Sequence, residues 1–332
     1  MTEKIGASEF SVTNKESPTF YFVGVTTSKS SIMEIFPLWA KALGRPDIVI
    51  EGINHKLHDM TEAYRQTVAQ MKFDPNSFGA LVTTHKVDIF DKARDMFDYL
   101  DPSALMTGEI SSISKRDGKL EGHAKDPITA GLSLDAVIGK NYFHRTGGHV
   151  LCFGAGGSGA AISLHLINKK NPGDRPTRFV IVNRSQPRLD IIRCMVDRLG
   201  TDIAFDLICN EDPKVNDSIM KQLPEGSVVI NATGMGKDRP GSPVTDSGLF
   251  PRKGIAWEIN YRGDLDFWHQ AMGQKREREV TIEDGWLYFL YGWIEHISQV
   301  LHVDIDQATF NKLAKLAEAF RPPLVYKPRS SL

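Results

Sequence analysis

The chain has 332 residues, a composition ordinary for a soluble globular protein and a formal net charge of −1. That balance gives no electrostatic case for nucleic acid or an anionic membrane, and no apolar stretch is long enough to span a bilayer. The polar, mixed-charge start, Met1 to Lys15, reads as a frayed leader and not as a signal peptide. Strand and helix then alternate. Phe20–Gly24 reads as a strand, Ser31–Leu43 as a helix, Ile48–Ile53 as a strand and Thr61–Met71 as a helix. Gly79–Thr83 and Lys86–Phe97 repeat the pair, and a hairpin follows: Glu109–Lys115, a turn at Asp117-Gly118, then Lys119–His123. Asp126-Pro127 opens a helix to about Ile138. A second βαβ rhythm occupies 148–260, with later strands at Ile203–Cys209, Ser227–Asn231 and Ile255–Ile259. Gly285 to about Ala319 reads as two amphipathic helices, and Arg321 to Leu332, with three prolines, as an irregular tail.

The most informative stretch is 151–161. A short apolar run, His149 to Phe153, meets glycines at 154, 156 and 159, spaced G-x-G-x-x-G, and a helical segment from Ala160 to Lys169 follows. Gly154 permits a tight turn, Gly156 lets backbone approach a pyrophosphate, and Gly159 lets the helix pack close to the strand. The helix N-terminus, with Gly157 and Ser158, offers N–H groups and a positive dipole end to phosphate. The next strand, Phe179 to Val182, ends in Asn183-Arg184-Ser185 with Arg188 one helical turn on. A guanidinium there suits a ribose 2′-phosphate, which favours NADP over NAD; the bland alternative is a solvated surface arginine. Asn231-Ala-Thr-Gly-Met-Gly follows a strand and places Asn231, Thr233, Gly234 and Met235 on a loop at a strand's carboxyl end, where ligands bind in open parallel sheets. Three cysteines, Cys152, Cys194 and Cys209, lie in apolar surroundings and read as core residues of a reducing compartment; no metal site is expected.

Taken together, Gly-Ala-Gly-Gly-Ser-Gly at 154–159, Asn-Arg-Ser at 183–185 and Asn-Ala-Thr-Gly-Met-Gly at 231–236 resemble the shikimate dehydrogenases. The resemblance runs from about residue 20 to 300. It implies an α/β fold: an N-terminal α/β substrate domain, 1–128, completed by C-terminal helices, 285–332, and a doubly wound Rossmann NADP-binding domain, 129–284, with the active site in the cleft. Ser28-Lys29-Ser30 is similar to the family's Ser-x-Ser, whose hydroxyls bind the substrate carboxylate. Val82-Thr83-Thr84-His85-Lys86 resembles the segment ending in the catalytic lysine, although it is one residue shorter and lacks the family's proline. Gly122-His-Ala-Lys-Asp126 stands where the catalytic aspartate falls. Tyr261 matches a tyrosine near the cleft, and Gly285 the glycine leading into the C-terminal helices. Several matches fail: the family's Asn-Thr is Ser111-Ser112, its next asparagine and threonine are Ala124 and Lys125, and its C-terminal glutamine is Gly292. Those positions read the ring hydroxyls of shikimate, so specificity is expected to differ.

The implied reaction is reversible hydride transfer between a cyclic hydroxy-acid, related to shikimate or quinate, and a nicotinamide. Lys86 is the expected acid/base and Asp126 the partner that orients and tunes it. Thr83, Ser111, Tyr261 and Gly292 are expected at the substrate, together with Ser28 and Ser30. Competing readings stay open on the residues alone. Lys86 could be a first-turn surface lysine, Asp126 an N-cap before Pro127, and Ser28 and Ser30 caps of the helix beginning near Ser31. Trp286, Tyr288, Tyr291 and Trp293 read first as core. A cytoplasmic enzyme, monomer or homodimer, acting on a small carboxylate is the leading expectation. A ligand sensor that lost turnover, or a related dehydrogenase for a folate or amino-acid substrate, are the alternatives.

Overall fold

The computed structural model describes residues 6–237 and 239–327. The chain folds into two compact α/β units. One comprises the chain up to Lys125 together with Gly292–Arg321; the other comprises Asp126–Tyr291 with the segment from Pro322.

The first unit runs β1 (Thr19–Gly24), α1 (Ile32–Ala42), β2 (Val49–Asn54), α2 (Thr61–Phe73), β3 (Ser77–Val82), α3 (Lys86–Ala93), β4 (Tyr99–Leu100), α4 (Pro102–Thr107), β5 (Ser112–Arg116) and β6 (Lys119–His123). Its six-stranded sheet has the order β2-β1-β3-β5-β6-β4. β1 pairs in parallel with β2 and β3, whereas β5 is antiparallel to β3 and β6. Every residue of β1 is buried, as a strand covered on both faces requires. Tyr21 and Val23 join Tyr64, Val68 and Met71 of α2 and Ile89 and Phe90 of α3 in one core. Phe20 and Phe22 turn to the opposite face, where Phe20 meets Phe36 of α1 at 5.1 Å between ring centroids.

The second unit runs α5 (Asp126–Ile138), α6 (Tyr142–Thr146), β7 (Val150–Phe153), α7 (Gly157–Ile167), β8 (Arg178–Asn183), α8 (Gln186–Leu199), β9 (Ala204–Cys209), α9 (Pro213–Lys221), β10 (Val228–Asn231), β11 (Ile255–Glu258), α10 (Asp266–Gln274) and β12 (Thr281–Glu283). α11 (Trp286–Leu301) begins here and continues into the first unit, which also holds α12 (Gln307–Ala317). The sheet order is β12-β11-β10-β7-β8-β9, and every pairing is parallel. Alternate residues sort to opposite faces. Val150, Cys152, Phe179, Ile181, Val228 and Ile230 pack with α5, α7 and α8, while Leu151, Phe153, Val180, Val182 and Val229 pack with α9 and α10.

Two expectations are corrected. Cys152 is buried, but Cys194 and Cys209 are exposed: Cys194 lies on the solvent side of α8, and Cys209 ends an edge strand. The described part of the leader is not frayed. Gln66 and Gln70, one turn apart on α2, each clamp it with both ends of the amide. Gln66 accepts from the Ser11 N–H at 3.1 Å and donates to the Ser11 carbonyl at 2.6 Å; Gln70 treats Thr13 the same way at 2.8 and 2.7 Å. Residues 1–5 lie outside the described residues. The tail is irregular over 322–327, where the Lys327 N–H donates to His269 of α10 at 3.3 Å; residues 328–332 lie outside the description.

Candidate functional site

In the second unit the glycine-rich turn joins β7 to α7, beside β10, where the chain order of the sheet reverses. Crevices form at such a switch point, beyond the carboxyl ends of the strands. Gly154 has φ +111°, and a Cβ on it would lie 2.5 Å from the Ala232 carbonyl oxygen. A Cβ on Gly159 would lie 2.2 Å from the Gly154 carbonyl oxygen, so helix and turn touch because both residues lack side chains. A Cβ on Gly156 would meet nothing within 4 Å. That open space adjoins the start of α7, which no side chain caps, so its first N–H groups and dipole end are available to an anion. The helix begins at Gly157, three residues before the sequence suggests, and the Ser158 hydroxyl bonds that of Tyr288 at 3.0 Å.

Asn183 holds this turn in place. Its Oδ1 accepts from the Ala155 N–H at 3.2 Å and its Nδ2 donates to the Ser185 carbonyl at 3.0 Å. Arg184 and Arg188 are exposed, and neither makes an ion pair to another described residue. Ser185 is the N-cap residue of α8.

The loop after β10 is built on a buried carboxylate. Glu258, at the end of β11, has no exposed surface. It accepts from Asn231 Nδ2 at 2.6 Å, from the Asn260 N–H at 2.9 Å and from Asn260 Nδ2 at 2.7 Å. The two amides then grip the loop. Asn231 Oδ1 accepts from the Thr233 N–H and hydroxyl at 3.2 and 2.6 Å, and Asn260 Nδ2 also donates to the Met235 carbonyl at 3.1 Å. Gly234 takes φ +74° in this loop. Burial pushes the Glu258 carboxyl up to about 8, against its three donors, and the charge of Asp284 pushes the same way. Gly285 donates its N–H to the Asn260 carbonyl at 3.1 Å, and a Cβ on it would lie 1.9 Å from the Ile259 carbonyl oxygen. Tyr261 packs its ring on Phe289 and Trp286, at 4.6 and 5.7 Å between centroids. Asp126, only 5% exposed, is the first residue of α5 with Pro127 behind it, and its carbonyl accepts from the Thr129 hydroxyl at 3.2 Å.

In the first unit the expected residues cluster at the carboxyl ends of β1 and β3. Thr83 donates its hydroxyl to the Val23 carbonyl at 3.2 Å, and a Cβ on Gly24 would lie 3.0 Å from that hydroxyl. Lys86 opens α3. Its N–H donates to the Thr83 carbonyl at 3.3 Å and its carbonyl accepts from the Ile110 N–H at 3.0 Å, so the backbone is fixed on both sides. Ser28, in the turn after β1, is exposed, and neither its hydroxyl nor that of Ser30 has a hydrogen-bond partner among the described residues. No side chain caps α1, so the capping alternative for these serines is not what the structure shows.

Ser111 is fully buried and has an internal role. Its hydroxyl accepts from the Lys125 N–H at 2.8 Å and lies 3.3 Å from His296 Nε2. His296 Nδ1 faces the Gly292 carbonyl, which can only accept, so Nδ1 carries a proton. A Cβ on Gly292 would meet nothing within 4 Å. Lys125 pairs with Glu295 of α11 at 3.4 Å, and Trp293 packs edge-on against Phe22 at 4.9 Å.

Several of these partners escape sequence reasoning. His85, with no exposed surface, bonds Tyr64 through Nδ1 at 2.8 Å; burial holds its pKa below the usual histidine range and the Tyr64 hydroxyl up at about 12. Its place beside Lys86 is the signal that could have found it. Glu258 stands three residues before Tyr261, and His296 one turn after Gly292. Among the described residues no group of histidines, cysteines and acids could hold a metal ion, and no helix is long and apolar enough to cross a membrane.

No family model matches the chain. A curated shikimate dehydrogenase (NADP(+)) of Symbiobacterium thermophilum is 30% identical over 173 residues, 49% of this chain and 53% of that protein. In sequence the chain is similar to the shikimate dehydrogenases. It aligns with about half the length of that relative. The likeness of fold extends further. A shikimate dehydrogenase solved in complex with NADP+ superposes with a TM-score of 0.68 at 16% identity, covering 94% of this chain and 99% of that one. A 5-ketofructose reductase of Gluconobacter gives 0.63 at 18% identity, covering 90% and 98%. The chain therefore has the shikimate dehydrogenase fold, an α/β unit followed by a Rossmann unit.

Proposed function

We propose that the chain is an NADP-dependent oxidoreductase of the shikimate dehydrogenase type, interconverting a cyclic hydroxy-acid and its keto form. One observation carries the reading: an uncapped helix start and an open space at Gly156 lie at the sheet's switch point, with two exposed arginines after the neighbouring strand. The donor set and the missing side chains fit a dinucleotide. NADP, when bound, supplies the carbon that accepts or gives the hydride. Gly154, Gly156, Gly157, Ser158 and Gly159 would hold its pyrophosphate, and Arg184 and Arg188 its 2′-phosphate. Asn183 and Ser185 shape the adenosine end; Asn231, Thr233, Gly234, Met235 and Gly285 shape the nicotinamide end.

Ser28 and Ser30 take the substrate carboxylate, their hydroxyls being without partners among the described residues. Lys86 gives a proton to the oxygen as the carbonyl is reduced and takes it back in the other direction, and its ammonium stabilises the developing alkoxide. Asp126 is the carboxylate that tunes it. The substrate domain, 1–128 with 285–332, supplies this chemistry, and 129–284 binds the cofactor, in a cytoplasmic monomer or homodimer. The space at Gly292 and the Lys125–Glu295 pair favour a relative of shikimate or quinate over shikimate itself. Absorbance at the NADPH band with a panel including shikimate and quinate tests the reading. Turnover on a cyclic hydroxy-acid is expected. Tight NADPH binding with no turnover on any member would instead indicate a ligand sensor.

A further inference from the structure

We propose that Glu258 is a positioning residue for the cofactor, whose ionised carboxylate holds the 231–236 loop in the shape that binds the dinucleotide. The inference deepens the proposed function and rests on its cofactor reading. The geometry argues it first. Three donors converge on Glu258, two from Asn260 and one from Asn231. Neither amide can turn round to offer an acceptor. Asn231 Oδ1 is held by the Thr233 N–H and hydroxyl, and Asn260 Nδ2 also serves the Met235 carbonyl. Protonation replaces an accepting lone pair of Glu258 with an O–H beside these three donors, which breaks or weakens one of the three bonds. The broken bond would release either Asn231, which carries Thr233, or Asn260, which carries Met235 and the N–H of Gly285.

The surroundings make that proton accessible near neutral pH. β10 faces Glu258 with the neutral Asn231 amide, the loop with the Met235 carbonyl, and the segment between β12 and α11 with Asp284, whose charge disfavours ionisation. Burial pushes the carboxyl up to about 8. A group titrating there is only about one-tenth ionised at about pH 7. Cofactor affinity should then rise by about tenfold between about pH 7 and about pH 9.5, a range above the titration of the 2′-phosphate itself.

The test measures the dissociation constant of NADP+ across that range by quenching of intrinsic fluorescence, for the parent protein, Glu258→Gln and Glu258→Asp. The glutamine variant puts an amide N–H₂ against one of the donors and mimics the protonated acid. It should bind about tenfold more weakly at the upper end and show no rise with pH. The aspartate variant keeps a titrating carboxylate and should keep the rise. A parent profile that is flat overturns the proposal, even if Glu258→Gln does not fold. Parallel rises in the parent and Glu258→Gln overturn it as well. Absence of NADP+ binding by the parent at every pH overturns the cofactor reading and this proposal with it, an outcome distinct from the other two.

Discussion

At the scale of single residues, the absence of a side chain does different work at different glycines. A Cβ at Gly285 would lie 1.9 Å from a backbone oxygen, whereas one at Gly292 would meet nothing within 4 Å. Gly285→Ala should therefore cost about 1–3 kcal/mol, a fall of several degrees in thermal midpoint by calorimetry. Gly292→Ala, inside a helix, should be neutral or stabilising by up to about 1 kcal/mol. Arg184 and Arg188 belong to the same scale. The Arg184→Ala/Arg188→Ala protein should lose at least about tenfold in affinity for NADP+ and little for NAD+, read by titration of each dinucleotide. Equal losses for both would remove the 2′-phosphate role. The glycine spacing and these arginines were legible in sequence because each depends on a local need: a turn, a close approach, an exposed charge. The roles of Ser111, His296 and Glu258 were not, because each has a partner 14 to 185 positions away along the chain.

At the scale of elements, the same local logic explains both hits and misses. Asp126-Pro127 announced α5, and the same Asp-Pro pair opens two helices that pattern reading passed over. Asp101 accepts from the Ala104 N–H at 2.6 Å ahead of Pro102, and Asp212 accepts from the Lys214 N–H at 2.9 Å ahead of Pro213. Helix α4 is six residues long and too short to display a period. The clamped leader was missed for another reason. Its extended backbone is paired by side-chain amides of a helix, and no strand pattern marks it. The loop after β10 gives this scale its prediction. The Glu258 carboxyl is raised from the ordinary glutamate range to about 8, so the folded state binds the proton more tightly than the unfolded chain. Its stabilising contribution is complete below about pH 4.5 and is lost as pH rises through about 8. The thermal midpoint of the cofactor-free parent should fall over that interval relative to Glu258→Gln. A parent midpoint that rises relative to the variant would contradict the assignment.

At the scale of the whole molecule, two α/β units and their kinds were readable from the sequence. Continuous apolar strands separated by helices specify parallel sheets covered on both faces, and a hairpin amid them marks the mixed sheet of the first unit. The strand order of each sheet was not readable, since it depends on which buried faces meet. Substrate identity is the least legible property: at two positions where the sequence differs from the motifs it resembles, Ser111 lies against His296 and Lys125 pairs with Glu295.

The central claim is that Lys86 moves the proton that accompanies hydride transfer. The most direct measurement is the turnover number of Lys86→Ala beside that of the parent, on the hydroxy-acid the parent oxidises fastest, with NADP+ affinity determined on the same samples. A fall of about 10²–10⁴-fold with affinity unchanged is the predicted result. Undiminished turnover would contradict it.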